Sequence, residues 1–346
     1  MRSRCGGISA RAWALPSAMS TLITGATGFI GSCVARRLLA LGRPVTVLAR
    51  SEAKARTLAA GGAKVVIGDL EDVESLKRAA AGCGAVVHGA GVPRPASWRV
   101  FRRVHVRGTE ALARAAHEAG VTRFVNISSQ AVMFGGEDIV NQGDDAPYPR
   151  RYVDPYSQTK AAGERAAMAA HSAQMAVLSL RPGVVWGPGD TTILPVFAKL
   201  SRSMMGIPMC GDGSNIETTT YIDNLMDAAV LALDAPAPTR ARAFVVRDGF
   251  EISWREFLAM QLEAIGVRAK FRRVPRAIAL PGAWVLDTSA GVLGLPVPLA
   301  RFGFLSSMTS RKFTGTGARD VIGYEPRVGL REGLAEVSAA DRASRG

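Results

Sequence analysis

The chain is poor in cysteine, in long apolar runs and in acidic charge, and each shortage closes off a class of protein. Its four cysteines among 346 residues (Cys5, Cys33, Cys83 and Cys210) are scattered, with no CxxC pair and no neighbouring histidine pair, which excludes a disulfide scaffold and leaves no zinc-site spacing. A reducing, cytoplasmic setting fits that usage. No apolar run approaches the roughly 18 uninterrupted residues that a membrane-spanning helix requires, although hydrophobic residues make up 48% of the chain. That apolar content is too high for a disordered polymer, and neither an internal repeat nor a low-complexity tract is present. Only 29 acids stand against 43 lysines and arginines, for a net charge of +14. Such a balance invites anionic partners: nucleic acid, anionic lipid or a phosphate-bearing cofactor. Its sign alone does not choose among them. The length predicts one large or two closely packed domains.

Residues 1–19 carry Arg2, Arg4 and Arg11, but the apolar stretch from Ala12 to Leu15 is shorter than a signal-peptide core and ends at Pro16. They read as a disordered extension with Met19 a candidate start; an organelle-targeting leader is the alternative. From Ser20 the rhythm changes. Thr21 to Thr24 is β-rich, a glycine turn follows, and Phe29 to Leu41 has apolar residues at helical spacing. Further strands are expected at Val45 to Leu48, Lys64 to Ile67, Ala85 to His88, Phe124 to Ser128 and Val177 to Leu180. Helices are expected between them at Ala53 to Ala60, Leu76 to Ala81, Arg107 to Ala119 and Pro155 to His171. Parallel strands need long right-handed crossovers, so this alternation predicts an α/β fold with a doubly wound parallel sheet of Rossmann type. After Arg181-Pro182 the segments become shorter and are punctuated by Gly and Pro. The reading is a nucleotide-binding domain over 20–182. Residues 183–346 form mainly a smaller C-terminal substrate-binding lid domain, some of whose strands return to the first sheet.

Gly25-Ala-Thr-Gly28-Phe-Ile-Gly31 lies between the first strand and the first helix, the context in which a glycine fingerprint carries meaning. Gly25 permits the tight turn, Gly28 lets a pyrophosphate approach main-chain N–H groups, and Gly31 allows close helix packing. A dinucleotide site follows. An acid at the end of the second strand would bind the ribose of NAD, but the chain has Ala49-Arg50 there, and a guanidinium suits the 2′-phosphate of NADP. NADP is therefore the preferred cofactor and NAD the alternative. Asp69-Leu70 at the third strand end is placed for the adenine, and Gly89-Ala90-Gly91 at the fourth for the nicotinamide ribose.

Tyr156 and Lys160 stand four apart at the start of a predicted helix and so share one face. The preceding strand ends in Ser128-Ser129, at the same edge of the sheet. Hydride exchange at a carbonyl needs a proton donor at the oxygen; a tyrosine, with an ordinary pKa near 10, needs help at neutral pH. The positive charge of Lys160 favours tyrosinate, and its ammonium can hold ribose hydroxyls. Ser129 would orient the substrate oxygen.

Taken together, Thr24 to Ser32, Ser128-Ser129, Tyr156xxxLys160, Arg181-Pro182 and Tyr221-Ile-Asp-Asn224 resemble the extended short-chain dehydrogenase/reductase superfamily. Within it, Ser128 to Gly135 and Tyr156 to Lys160 are most similar to the 3β-hydroxysteroid dehydrogenase and sterol-4α-carboxylate 3-dehydrogenase branch. The resemblance implies a catalytic Ser129, Tyr156 and Lys160. It also implies a cofactor surface that takes in Thr27, Phe29, Ile30, Pro182 and Val184 beside Gly25, Gly28, Arg50, Asp69, Leu70, Ala90 and Gly91, with Tyr156 and Lys160 touching it as well. The activity it implies is interconversion of a secondary alcohol and a ketone on a bulky, apolar, sterol-like substrate. The 2-alkyl-3-oxoalkanoate reductases look similar around Trp186 to Asp190 and Gly211 to Asn224, and give the alternative. A sugar-nucleotide epimerase and a non-catalytic NADP-binding regulator are further alternatives. The chain departs from the superfamily at His105, where an Asn often precedes Val-x-Gly-Thr, and at Gln130-Ala131, where sugar dehydratases carry Asp-Glu. Sugar dehydration is not expected.

Two basic stretches remain. Arg268, Lys270, Arg272, Arg273 and Arg276 precede an apolar but proline-broken segment from Val274 to Phe304. This reads either as the mouth of a hydrophobic cleft in peripheral contact with a membrane or as an ordinary lid core with a solvated edge. From Arg94 to Arg107, five arginines are interleaved with Trp98 and Phe101 beside the expected cleft. An acidic substrate explains that cluster better than nucleic acid, which is not an expected partner. A hydrophobic small molecule is expected, and a homodimer is left open.

Overall fold

In a computed structural model, residues 19–93, 96–293 and 301–345 are described. The expected extension, apart from Met19, lies outside them, as do Arg94 and residues 294–300 of the apolar segment. The first half alternates β1 (Ser20–Thr24), α1 (Phe29–Ala40), β2 (Val45–Ala49), α2 (Glu52–Ala60), β3 (Lys64–Ile67), α3 (Val73–Ala80) and β4 (Cys83–His88). A long helical stretch follows as α4 (Trp98–Phe101), a π-helical turn (Arg102–Arg107) and α5 (Gly108–Glu118), leading to β5 (Arg123–Ile127), β6 (Ile139–Gln142), α6 (Pro155–Ala169) and β7 (Ala176–Pro182).

The second half brings β8 (Val184–Trp186), α7 (Leu194–Arg202), β9 (Ile207–Cys210), β10 (Thr219–Tyr221), α8 (Ile222–Asp234) and β11 (Arg242–Val246). It ends with α9 (Trp254–Ala264), β12 (Phe271–Val274), α10 (Arg276–Leu293), α11 (Arg301–Ser306), β13 (Arg311–Phe313), α12 (Gly317–Ile322) and α13 (Leu330–Arg345).

The expected elements of the first half form within a few residues of their predicted ends. The largest shift is α3, which begins at Val73 because the Asp72 carboxylate accepts the N–H groups of Glu74 and Ser75. Apolar spacing alone does not register such a cap.

Seven strands form the central sheet in the order β11-β7-β5-β4-β1-β2-β3, and every pair is parallel. Alternate side chains on each strand face opposite layers. Ile23, Val47, Val87, Val125 and Leu178 join the core beneath α1 and α8, while Leu22, Leu48, Val86, Phe124 and Val177 join the one beneath α3 and α5. A doubly wound sheet of this kind gathers ligands at the carboxyl ends of its strands.

The chain crosses between the two parts more than once. β11 returns from the second half to the edge of the sheet beside β7. Conversely, β6 leaves the first half to pair with β13, and the small pairs β8–β10 and β9–β12 complete the second part.

Candidate active site

The turn after β1 brings the glycine fingerprint to the mouth of the sheet. Gly25 has a φ of +74°, and a Cβ there would lie 2.6 Å from the Gly89 carbonyl oxygen. At Gly31 a Cβ would lie 2.3 Å from the carbonyl oxygen of Gly25, so α1 can lie this close only without a side chain. Gly28 caps α1 without a side-chain hydrogen bond, and the first turn contains no acid. An uncapped helix N-terminus with open N–H donors fits the pyrophosphate of a dinucleotide. Thr27 and Gly28 are exposed there, with Phe29 and Ile30 half-buried behind them.

At the neighbouring strand ends, Arg50 is largely exposed and its Nε lies 3.9 Å from the carboxylate of Asp69, so these two predicted residues share one place. The Leu70 side chain instead joins the core beneath α3 and α5, where a Cβ on Gly108 would meet it at 2.9 Å. Ala90 is half-buried and Gly91 exposed after β4; Pro182, the last residue of β7, is buried and Val184, the first of β8, half-buried.

Tyr156 and Lys160 lie on the first turns of α6, whose start is set by Pro155 and by Asp154 accepting the Ser157 N–H at 3.1 Å. Lys160 Nζ donates to the Ile127 carbonyl at 2.9 Å, tying α6 to the end of β5. Two residues further on, Ser129 Oγ accepts the Ala131 N–H at 3.1 Å at the head of a short helical turn. That bond orients the hydroxyl and uses none of its donor capacity. Burial pushes the Lys160 ammonium down to about 8, against the opposing pull of Glu164. The end of β5, which leads to Ser129, and the first turns of α6, which carry Tyr156 and Lys160, thus come together at one edge of the sheet.

Two histidines that the motifs did not assign hold this edge together. His88 Nε2 and Thr109 Oγ1 are 2.9 Å apart, while Thr109 Oγ1 donates to the His105 carbonyl at 2.7 Å. His88 must then carry its proton on Nε2, and Nδ1 accepts from Thr24 Oγ1 at 2.7 Å. Burial, with the charge of Lys160, pushes His88 down to about 3, so the ring is neutral. His105 Nε2 accepts the Val92 N–H at 3.1 Å, and Nδ1 donates to Thr159 Oγ1 at 3.0 Å, whose own proton goes to the Pro155 carbonyl at 2.7 Å. The ring stands edge-on to Tyr156 at 5.4 Å and stacks on Phe101. Where the superfamily often has Asn, this chain therefore clamps the loop after β4 to α6 with an imidazole. The π-helical turn that presents His105 is a feature that recurs at functional sites.

Behind Lys160, the Glu164 carboxylate accepts from Arg181 Nη2 at 2.7 Å, Tyr148 Oη at 2.7 Å and Ser179 Oγ at 2.9 Å. Burial alone would raise the Glu164 carboxyl; the adjacent Arg181 overrides it and holds the group below its ordinary value. Glu164 was legible only as the residue one turn beyond Lys160. Gln130 turns away from the open edge: its Nε2 donates to buried Glu217 at 2.6 Å, and Glu217 pairs with Arg311. The position that carries an acid in sugar dehydratases is here part of the packing.

The sequence profile of the NAD dependent epimerase/dehydratase family matches residues 21–246. Over 338 residues the chain is 33% identical to the 2-alkyl-3-oxoalkanoate reductase of Stenotrophomonas maltophilia (strain K279a), covering 94% of this chain and 100% of that one. It is 29% identical to the 3-beta-hydroxysteroid dehydrogenase of Mycolicibacterium neoaurum, covering 91% and 89% respectively. Among solved structures, MoeE5 in complex with UDP-glucose and NAD aligns with a TM-score of 0.73 at 27% identity, over 94% of this chain and 100% of that one. The chain belongs to the NAD dependent epimerase/dehydratase family and is an NAD(P)-dependent oxidoreductase of the extended short-chain dehydrogenase/reductase type.

Proposed function

We propose that this family member interconverts a ketone and a secondary alcohol located β to a carboxylate on a bulky apolar body, working as a 3-oxo acid reductase with NADPH. The observation that carries the reading is the Ser129, Tyr156 and Lys160 set at one sheet edge, with Gln130 drawn into the Glu217–Arg311 pair. Proton exchange at an oxygen is provided for, and no acid stands at Gln130 or Ala131 for elimination of water from a sugar.

A nicotinamide cofactor, when bound, supplies or takes up the hydride. Tyr156 then gives the proton to the carbonyl oxygen, or removes it from the alcohol in reverse. Lys160 stabilises the tyrosinate that remains, and an ammonium brought near 8 still carries its charge at neutral pH. Ser129 donates to the same oxygen and fixes its direction. The edge-on rings of His105 and Phe101 hold the Tyr156 phenol in place and shield it from water.

The substrate class draws on the relatives. A 2-alkyl-3-oxoalkanoate bears its ketone one carbon away from the carbon that carries the carboxylate, and a sterol-4α-carboxylate bears its 3-hydroxyl in the same relation. The exposed arginines Arg99 and Arg102, flanking Phe101 on the helix that faces Tyr156, supply the positive field such an anion prefers. The 2-alkyl-3-oxoalkanoate is favoured because the relative of that name matches along its whole length. A carboxylate-free 3-oxosteroid is the second reading, favoured by the likeness to the Mycolicibacterium enzyme. For the cofactor, β2 ends in Arg50 and not in an acid of its own, and with Asp69 beside it this guanidinium favours the 2′-phosphate of NADPH.

Purified protein with NADPH or NADH and a panel of 2-alkyl-3-oxoalkanoate, 3-oxosteroid and UDP-glucose tests this directly. Oxidation of NADPH fastest with the β-keto acid is expected. Turnover with the steroid alone would move the assignment to the second reading. Epimerisation of UDP-glucose without net cofactor consumption would overturn both.

A further inference from the structure

One exposed region of the second half has no part in the chemistry. In the turn between α7 and β9, Met204 is 93% exposed and Met205 66%. Lys270 Nζ donates to the Met204 carbonyl at 2.9 Å, placing this turn against the start of β12. From there β12 runs alongside β9 and, through Pro275, into α10. On α10, Ala279 and Ala283 are buried, one helical turn apart. The opposite side carries Ile278, Trp284 and Val285, each more than half exposed. Between the methionine turn and this helix lie Arg268, Lys270, Arg272, Arg273 and Arg276, all exposed. Among the described residues, none of the five has a carboxylate within ion-pair distance.

An exposed apolar helix side, an exposed methionine turn and a cluster of cations thus lie on one connected stretch of the chain, with Arg272 and Arg273 on opposite sides of β12. An amphipathic surface helix with Trp and a neighbouring cationic cluster matches an interface between hydrocarbon and anionic headgroups. We propose that this region rests on an anionic phospholipid membrane, with Met204, Met205, Ile278, Trp284 and Val285 entering the headgroup boundary and the cations of the cluster that turn the same way meeting lipid phosphates. Among the described residues no helix is long and apolar enough to cross a membrane, and the contact proposed is a peripheral one. Charge complementarity selects the lipid: zwitterionic headgroups would satisfy the apolar residues but leave the cationic cluster without a counterpart.

The full chain, mixed with vesicles of phosphatidylcholine alone or with added phosphatidylglycerol, tests the proposal by co-sedimentation and by tryptophan emission. Binding to the anionic vesicles, weakened by salt, with a blue shift that Trp284→Phe removes, is the expected result. The pair R272E/R273E should weaken binding by about tenfold or more; Met204→Ser with Met205→Ser should weaken it as well. All these residues are exposed, and turnover of a water-soluble ketone should be unchanged in each variant. Equal partition to neutral and anionic vesicles, or none to either, would overturn it. So would a dimer in solution that the same substitutions dissociate, which would give the face to a second copy. The vesicle measurement needs no catalysis, so failure of the proposed reaction would leave its outcome intact.

Discussion

Each half of the molecule buries an arginine–glutamate pair, and the two pairs do different work. In the nucleotide-binding half, Glu164 receives hydrogen bonds from Arg181, Tyr148 and Ser179, and its carboxyl is held below the ordinary range. In the second half, Glu217 faces Arg311 and Gln130, yet burial outweighs them and raises its carboxyl. Arg311 completes its site by lying 4.9 Å from the Phe134 ring centroid and 5.4 Å from that of Phe302. The first pair is saturated with donors and serves a lysine one turn away. The second is a joint, fastening β13 and the loop before β10 to the turn at Ser129. Buried charge in this fold thus supports chemistry on one side and assembly on the other.

The largest effect should separate chemistry from assembly. Tyr156→Phe is expected to lower kcat by roughly 10²–10⁴-fold, the usual worth of a positioned general acid, while thermal stability and NADPH binding stay near wild type. Retention of more than a few per cent of the activity would remove Tyr156 from its role.

Breaking each pair comes next. Arg181→Met and Arg311→Met should each cost about 3–5 kcal/mol in denaturant unfolding, since either leaves a buried carboxylate without its counter-charge. Only Arg181→Met should also disturb the pH profile of turnover, through Glu164 and Lys160; equal profiles in the two variants would erase the contrast. The pH dependence of stability sharpens it further. Because Glu164 has a depressed carboxyl, its contribution is complete above the ordinary carboxylate range and is lost as pH falls through the folded value. Glu217, raised by burial, contributes most at low pH and loses ground as pH rises through its folded value. The penalty of Glu164→Gln should therefore shrink on acidification and that of Glu217→Gln should grow, as read by unfolding between neutral and acidic pH.

The smallest effect concerns the cofactor rim. Arg50→Ala should raise the KM for NADPH by about tenfold, the worth of one charge-assisted contact to a phosphate, and leave that for NADH unchanged. Equal changes for both cofactors would make Arg50 a solvated charge beside Asp69.

Much of the first half was legible because its information is local. The strand, the glycine turn and the helix of residues 20–40 are contiguous, and the four-residue spacing of Tyr156 and Lys160 places both on one helical face whatever surrounds them. The neutral state of His88 was not legible: it depends on Thr24 and Thr109, which are brought to it from β1 and α5. Nor could Gln130 be read as a packing residue, since its partner Glu217 is 87 positions away and Arg311 a further 94.

What the sequence determined by itself was the parallel sheet, the glycine-built turn after the first strand and the shared helical face of Tyr156 and Lys160, because hydrophobic period and short spacings act through the nearest few residues. Tertiary structure alone decided that β11 is the strand that returns to the sheet, the state of each buried charge and which residues of the apolar helix stay exposed. Burial is a property of the assembled chain, and only once water has been excluded from a site does a charge, a proton or an exposed methionine acquire its energetic meaning.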